Sequence, residues 1–398
     1  MCFGSVCQTK AQGTSNKGTD FWLMYGNHVS GYRPNQNNWQ QMAMYITSDV
    51  STTGTVEIPG INYTLDFSVI ANQVTVVQIP RSAYIGGTEG KFNKGIHLKS
   101  ARPVVAYAHI YDNSVSGATL VLPTNTLGKE YYSLNFTQKA NALDSYSFCA
   151  IVAVEDNTQV IVTPSVPTQG GWAAGVAQTI NLNKGEVYQI LGLENSQVDL
   201  TPNAQTRSYY TTGGDLTGTT IKSVAAAGQS CKRIAVFSGS GKMSIGCLSS
   251  GGAPGAADNL FQQVYPTSTW GKSFVTVPSK NRNYDIYRIF KSSPNAVVKL
   301  NGVVIPNTSF VNDFYYQFDS QQTNYIESDN AIQVVQYQVT QNRTINCTSS
   351  TGDLGDPEMI YLNPLEQTLD KITMYSTSLF NILAHYINVV IRTDDVAS

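Results

Sequence analysis

The segment Leu122-Pro-Thr-Asn-Thr-Leu-Gly-Lys-Glu-Tyr131 returns as Tyr265-Pro-Thr-Ser-Thr-Trp-Gly-Lys-Ser-Phe274, and the residues after each copy correspond as well. Ala150-Ile-Val-Ala-Val-Glu-Asp-Asn-Thr-Gln-Val-Ile-Val162 follows the first copy, and Arg288-Ile-Phe-Lys-Ser-Ser-Pro-Asn-Ala-Val-Val-Lys-Leu300 follows the second at a similar offset. A weaker third copy begins at Leu362-Asn-Pro-Leu-Glu-Gln-Thr and runs through Ile387-Asn-Val-Val-Ile-Arg-Thr-Asp-Asp. Repetition on this scale restricts the chain to several copies of one β-rich unit.

A second landmark recurs near the end of each unit. It is Gly95-Ile-His-Leu-Lys-Ser-Ala-Arg-Pro-Val-Val-Ala-Tyr107 in the first, and Gly218-Thr-Thr-Ile-Lys-Ser-Val followed by Cys231-Lys-Arg-Ile-Ala-Val-Phe237 in the second. In the third it is Tyr325-Ile-Glu-Ser-Asp-Asn-Ala-Ile-Gln-Val-Val-Gln-Tyr337. Propeller blades run to about 40–50 residues, and these units are roughly twice that. The pattern predicts an all-β chain of tandem β-sandwich-like repeat units with little helix. The expected division is a lead at 1–16, β units at 17–121, 122–260 and 261–350, and a shortened fourth unit at 351–398.

Within the first unit, alternation and short apolar runs predict strands at 21–28, 41–47, 54–58, 63–69, 74–79, 95–99, 104–111 and 118–122. No helical periodicity separates them, and strands this short at this spacing suit a sandwich.

Only 13% of the residues are charged, against an average of about 25% in soluble proteins. Thr, Tyr, Val and Ile strands between Asn and Gly turns account for that balance. The net charge is -2 and no Lys/Arg run occurs, which argues against nucleic acid or anionic membrane as partner. No apolar run is long enough for a membrane-spanning helix.

The six cysteines stand at 2, 7, 149, 231, 247 and 347. Cys231 and Cys247 are centred on Ser238-Gly-Ser-Gly241, so a hairpin turning there predicts a Cys231–Cys247 disulfide and an oxidising, extracytoplasmic setting. CxxC and HxxxH spacings are lacking, which ranks a metal site well below that pair. The first 13 residues resemble the tail of a signal peptide, and the C-terminus reads as a unit cut in mid-repeat.

Five stretches carry a resemblance to a known family: Lys17-Gly-Thr-Asp-Phe-Trp-Leu-Met-Tyr-Gly-Asn-His28, Arg102-Pro-Val-Val-Ala-Tyr-Ala-His-Ile-Tyr111, Leu122–Tyr131, Ser230-Cys-Lys-Arg-Ile-Ala-Val-Phe-Ser-Gly239 and Asp258-Asn-Leu-Phe-Gln-Gln-Val-Tyr-Pro266. Together they resemble the IgGFc-binding protein N-terminal domain family, and the likeness spans the chain from about Lys17 to the end. The family includes part of an animal mucus protein that binds the Fc region of IgG, and many large secreted bacterial surface proteins. The resemblance implies a bacterial surface protein with further domains on a longer polypeptide. It assigns no binding residue.

Chemistry-bearing residues are sparse. His28 and His109 lie in first-unit strands with Asp20 and Asp112 nearby, a set that a metal or acid–base site could use, although half-buried structural histidines are the plainer reading. His97 and His385 read as structural. No Gly-x-Ser-x-Gly elbow leads into a helix, and Gly251-Gly-Ala-Pro-Gly255 lacks the Lys-Ser/Thr ending of a phosphate loop. Asp356-Pro357 is similar to a Gly-Asp-Pro-His self-cleavage sequence, but Glu358 replaces the histidine and a turn is the simpler role.

Aromatics in polar stretches point instead to recognition, because rings stack at low entropy cost while amides hydrogen-bond. Tyr25, Tyr32, Trp39, Tyr131, Tyr132, Tyr209 and Tyr210 are the expected surface rings, and cross-strand pairing absorbs most other tyrosines. The loop carrying Tyr32, Arg33, Asn35, Asn37 and Trp39 is the expected contact surface, with His28 and His109 as further candidate binding residues. The sequence therefore predicts a non-catalytic, secreted or cell-surface binding module. Its expected task is adhesion to a mucin-like or immunoglobulin-like glycoprotein, with no cofactor or metal and no membrane insertion. A structural spacer in a larger surface or motility protein is the alternative, and a cryptic hydrolase the second.

Overall fold

The computed structural model describes residues 15–29, 40–112, 114–199, 209–225, 230–246, 256–342, 344–346, 348, 355–369, 372–375 and 385–391. The first group of strands is β1 (Gly18–Leu23), β2 (Gln41–Thr47), β3 (Thr52–Ile58), β4 (Tyr63–Val69), β5 (Val74–Ile79), β6 (Gly90–Phe92), β7 (Ile96–Tyr111) and β8 (Ser116–Val121). The second is β9 (Glu130–Tyr132), β10 (Lys139–Ala140), β11 (Ser147–Ala153), β12 (Thr158–Thr163), β13 (Gln178–Leu182), β14 (Val187–Leu191), β15 (Glu194–Asp199), β16 (Tyr209–Gly213), β17 (Thr220–Val224), β18 (Ile234–Met243) and β19 (Asp258–Gln263). The third is β20 (Gly271–Thr276), β21 (Asp285–Lys291), β22 (Val298–Leu300), β23 (Val303–Val304), β24 (Tyr315–Ser320), β25 (Asn324–Gln338) and β26 (Glu358–Tyr361). Among the described residues the helices are single 3-10 turns, so the chain is all-β as expected.

One pairing plan serves all three groups. In the first, the long strand β7 pairs with β1 and β3 along its first half and with β2 and β8 along its second. In the third, β25 does the same with β20 and β22, then with β21 and β26. The sequence predicts two strands, 95–99 and 104–111, where the structure has one. Ser100-Ala-Arg-Pro103 is the bend by which a single strand passes from one sheet to the other. Opposite it, the β1 register skips from Lys99 to Val104, and in the third group the β20 register skips likewise from Glu327 to Ile332. A bulge bends its strand, and Pro103 has no N–H to lose there. In the second group the corresponding place is shared by two strands, β17, which pairs with β9 and β12, and β18, which pairs with β11 and β19.

The repeated Pro-Thr-x-Thr segments have a defined place in this plan. Each follows the last strand of a group and forms a 3-10 turn: Thr124–Thr126 after Pro123, Thr267–Thr269 after Pro266, and Leu365–Gln367 after Pro364. Each proline lies so close to Gly18, Gly128 or Gly271, at the start of the preceding group's first strand or two residues before it, that a Cβ there would collide with the ring. Three residues after each glycine stands a buried aromatic: Phe21, Tyr131 and Phe274. The strand Glu358–Tyr361, placed by sequence at the head of a fourth unit, pairs with β25 as β8 pairs with β7.

The groups are packed on one another rather than strung apart. One apolar cluster joins Phe21, Met44 and Leu98 to Phe148, Leu191 and Phe261. A second joins Tyr131, Ile151 and Val236 to Tyr284, Tyr337 and Tyr361.

The hairpin expected at Ser238–Gly241 does not form. β18 runs straight through those residues, and Gly239 is required because the Leu260 carbonyl occupies the space of a Cβ. A ten-residue strand spans about 30 Å, so the hairpin from which the Cys231–Cys247 pairing is reasoned is not there. Cys231 is a free thiol, while Cys247 lies outside the described residues.

Candidate functional site

Residues Tyr32, Arg33, Asn35, Asn37 and Trp39 lie outside the described residues; the two ends of their segment do not. Val29 donates its N–H to the Gly241 carbonyl at 3.0 Å, tying the first end to the second group. The Tyr84 hydroxyl donates to the His28 carbonyl at 2.6 Å, and Gln40 Nε2 donates to the same oxygen at 3.1 Å, which closes the two ends on each other. Burial pushes the Tyr84 phenol up to about 12, so it stays a donor across the physiological range.

Below these stems lies a set of buried amides. Asn27 takes the Gln189 side chain on its N–H at 3.0 Å, accepts from Tyr146 N–H at 3.0 Å, and donates Nδ2 to the Asp144 carbonyl at 2.9 Å. Asn259 Nδ2 reaches the Asn27, Ser240 and Gly241 carbonyls. Gln189 donates to the Gly86 and Thr88 carbonyls at 2.8 and 2.9 Å. Buried polar groups are costly unless bonded, and here the bonds cross between the first and second groups.

His28 and His109 are both buried in the first group. His28 is 2% exposed, with Nε2 3.3 Å from the Val115 carbonyl. His109 places Nδ1 2.9 Å from the Tyr45 hydroxyl and Nε2 2.8 Å from Ser116 Oγ. Burial lowers both imidazoles to about 4, so both are neutral at physiological pH. Asp112 is near His28 but spends its carboxylate on the Ser114 and Val115 N–H groups at 2.7 Å. These bonds of both rings stay within the first group, His28 to Val115 and His109 to Tyr45 and Ser116.

Asp20 belongs elsewhere. It binds His97 Nε2 at 2.7 Å and Thr124 Oγ1 at 2.5 Å, with Trp22 stacked on the His97 ring at 4.0 Å. Partial burial pushes the other way, but the bonds from His97 and Thr124 hold the Asp20 carboxyl below its ordinary value. Among the described residues no group of three or more His, Cys, Asp or Glu side chains is placed to hold a metal ion.

Two of the expected surface rings are core residues. Tyr25 is fully buried with its hydroxyl on the Ala43 carbonyl at 2.7 Å, and Tyr131 is 1% exposed with its hydroxyl on the Ile234 carbonyl at 2.8 Å. Tyr131 is the counterpart of Phe274 in the repeat, and that alignment alone marks it as core. Tyr132 is half-buried against Trp270 and Phe314.

Sequence reasoning also passed over Arg288. This guanidinium, 1% exposed, pairs with Asp215 at 2.9 Å, donates to the Asn135 carbonyl at 2.8 Å, and lies over Phe136 and Tyr315 at 4.3 and 4.5 Å. It fastens the third group to the second. A lone arginine in an apolar strand was the available signal, because an unpaired buried charge is rarely tolerated.

The fold defines an all-β protein of three strand groups built on one pairing plan. The family model described as IgGFc binding protein matches residues 117–398. The chain belongs to the IgGFc binding protein family. No curated protein and no solved structure matches it. Among the described residues no helix is long and apolar enough to cross a membrane, which says nothing of strands.

Proposed function

We propose that this chain is an extracellular, non-catalytic binding module that attaches to a glycoprotein of mucin-like or immunoglobulin-like kind through the segment carrying Tyr32, Arg33, Asn35, Asn37 and Trp39. One observation carries the reading: both ends of that segment are locked to each other and to the neighbouring group through His28, Gln40, Tyr84, Val29 and Gly241. A rigid double-anchored base is what a recognition loop on a β scaffold needs, since a fixed stem reduces the ordering cost of binding. Tyr, Trp, Arg and Asn are the residue types that recognition surfaces favour. Membership of a family named for binding IgG Fc supports a protein ligand and an extracellular setting.

The test is surface-plasmon titration of the chain against IgG Fc, serum albumin as control, and purified mucin. Binding to Fc or mucin that weakens about tenfold in Trp39→Ala and in Tyr32→Ala is expected, the size of a hot-spot truncation. Absence of binding to both ligands, or equal binding by both variants, refutes this reading and leaves the spacer role.

A further inference from the structure

Strands β14 and β24 are the same element in successive groups, and their sequences show it. Val187-Tyr-Gln-Ile-Leu191 corresponds to Tyr315-Tyr-Gln-Phe-Asp319, since Gln189 faces Ala150 of β11 just as Gln317 faces Arg288 of β21. Each is the outer strand of its ladder with β11 or β21, yet the two outer edges are treated differently. On β14, the first group's β6 adds a strand: Phe92 pairs with Val187 and Gly90 with Gln189. Glu89 Oε2 then accepts the Leu191 N–H at 2.9 Å, and Gln169 N–H meets the Leu191 carbonyl at 2.9 Å. The edge is filled from end to end.

On β24 only the first position is filled. Tyr315 exchanges bonds with Val311, which stands where Phe92 stands on β14. Lys291 N–H bonds the Phe314 carbonyl, so the alternation of an antiparallel ladder turns the N–H and C=O groups of Gln317 and Asp319 outward, away from β21. Both residues are exposed, and no described residue pairs with those groups. An open edge of this kind is a template for another strand. Its charge differs from that of β14 at one position: an aspartate replaces Leu191, so a carboxylate like that of Glu89 would be repelled there and a cation attracted.

We propose that the outer edge of β24 at Gln317 and Asp319 is a docking site for an extended segment of another polypeptide, with a glycine opposite Gln317 and a basic residue beside Asp319. The occupant follows the register that Gly90 and Glu89 take on β14. The proposed site includes none of residues 31–39, and its success or failure leaves that reading untouched.

The probe is the acetylated, amidated hexapeptide Gly-Gly-Thr-Lys-Gly-Lys, a copy of residues 86–91 with lysine in place of the glutamate, titrated to millimolar concentration into the full chain. Amide hydrogen exchange read by NMR should slow several-fold at Gln317 and Asp319 and stay unchanged at Gln189 and Leu191. The glutamate form of the peptide should slow it less. Gln317→Pro removes an outward N–H without breaking the β21 ladder, so with its melting temperature preserved it should abolish the slowing at Asp319. No slowing with the lysine peptide, equal slowing with both peptides, or slowing that survives Gln317→Pro would each overturn the proposal.

Discussion

The junction between the first and second groups is centred on a cluster of neutral amides, whereas the junction between the second and third is centred on a buried charge. Asn27, Gln189 and Asn259 share their hydrogen bonds across the first. At the second, Arg288 reaches Asp215, Asn135 and Thr217, and the Tyr337 and Tyr361 hydroxyls bond the Asn135 and Leu134 carbonyls at 2.7 and 2.9 Å. Both junctions sit on continuous apolar cores. The difference teaches that identical strand plans leave the joining chemistry free. A charge concentrates the joint in one residue, while amides distribute it over several.

The comparison breaks most readily at Arg288. Arg288→Ala strands the Asp215 carboxylate and several carbonyls, and should cost about 3–5 kcal/mol in urea unfolding. Arg288→Met combined with Asp215→Ala should lose much less than Arg288→Met alone, because no unpaired charge is left. If the double variant is no better than the single, the joint is packing rather than charge.

Acid acts at the other end, beside the first junction. The His28 and His109 imidazoles titrate at about 4 in the folded chain, against about 6.5 unfolded. The unfolded chain therefore takes up protons that the folded chain refuses. Their contribution is complete above pH 6.5 and is lost as pH falls toward 4, by about 3 kcal/mol for each histidine. His109→Gln keeps the hydrogen-bonding capacity, so its stability should fall less than wild type across that window. Parallel pH profiles would contradict the neutral, buried assignment.

Gly128→Ala forces a methyl group into Pro266 and should destabilise by about 1–3 kcal/mol, as overpacking does. Gln189→Ala should cost about 1–3 kcal/mol by leaving the Asn27 N–H and two carbonyls without their partner. Its effect is the smaller because other amides remain at that junction.

Most strands were legible because half-buried sheets alternate, and Gln41–Thr47, Tyr63–Val69 and Val74–Ile79 match their expected limits to the residue. The bend in β7 was not, because Ser-Ala-Arg-Pro has the composition of a turn and only the pairing of β1 across it reveals one strand. Gly239 and Gly241 misled for a related reason: glycine marks close approach as well as turning, and the approaching Leu260 carbonyl and Asn27 side chain are distant in sequence. The partner of Asp20 depended on a register that places Trp22 opposite His97, which no local pattern encodes. The anchoring of the 31–39 loop was hidden likewise, since Tyr84 and Gly241 lie far along the chain.

The groups form one body whose second joint hangs on Arg288. Differential scanning calorimetry of the full chain and of Arg288→Ala tests it most directly. One cooperative transition is expected for the wild type and two for the variant, the earlier belonging to the third group. Two separate transitions in the wild type, or a single unshifted one in Arg288→Ala, would contradict it.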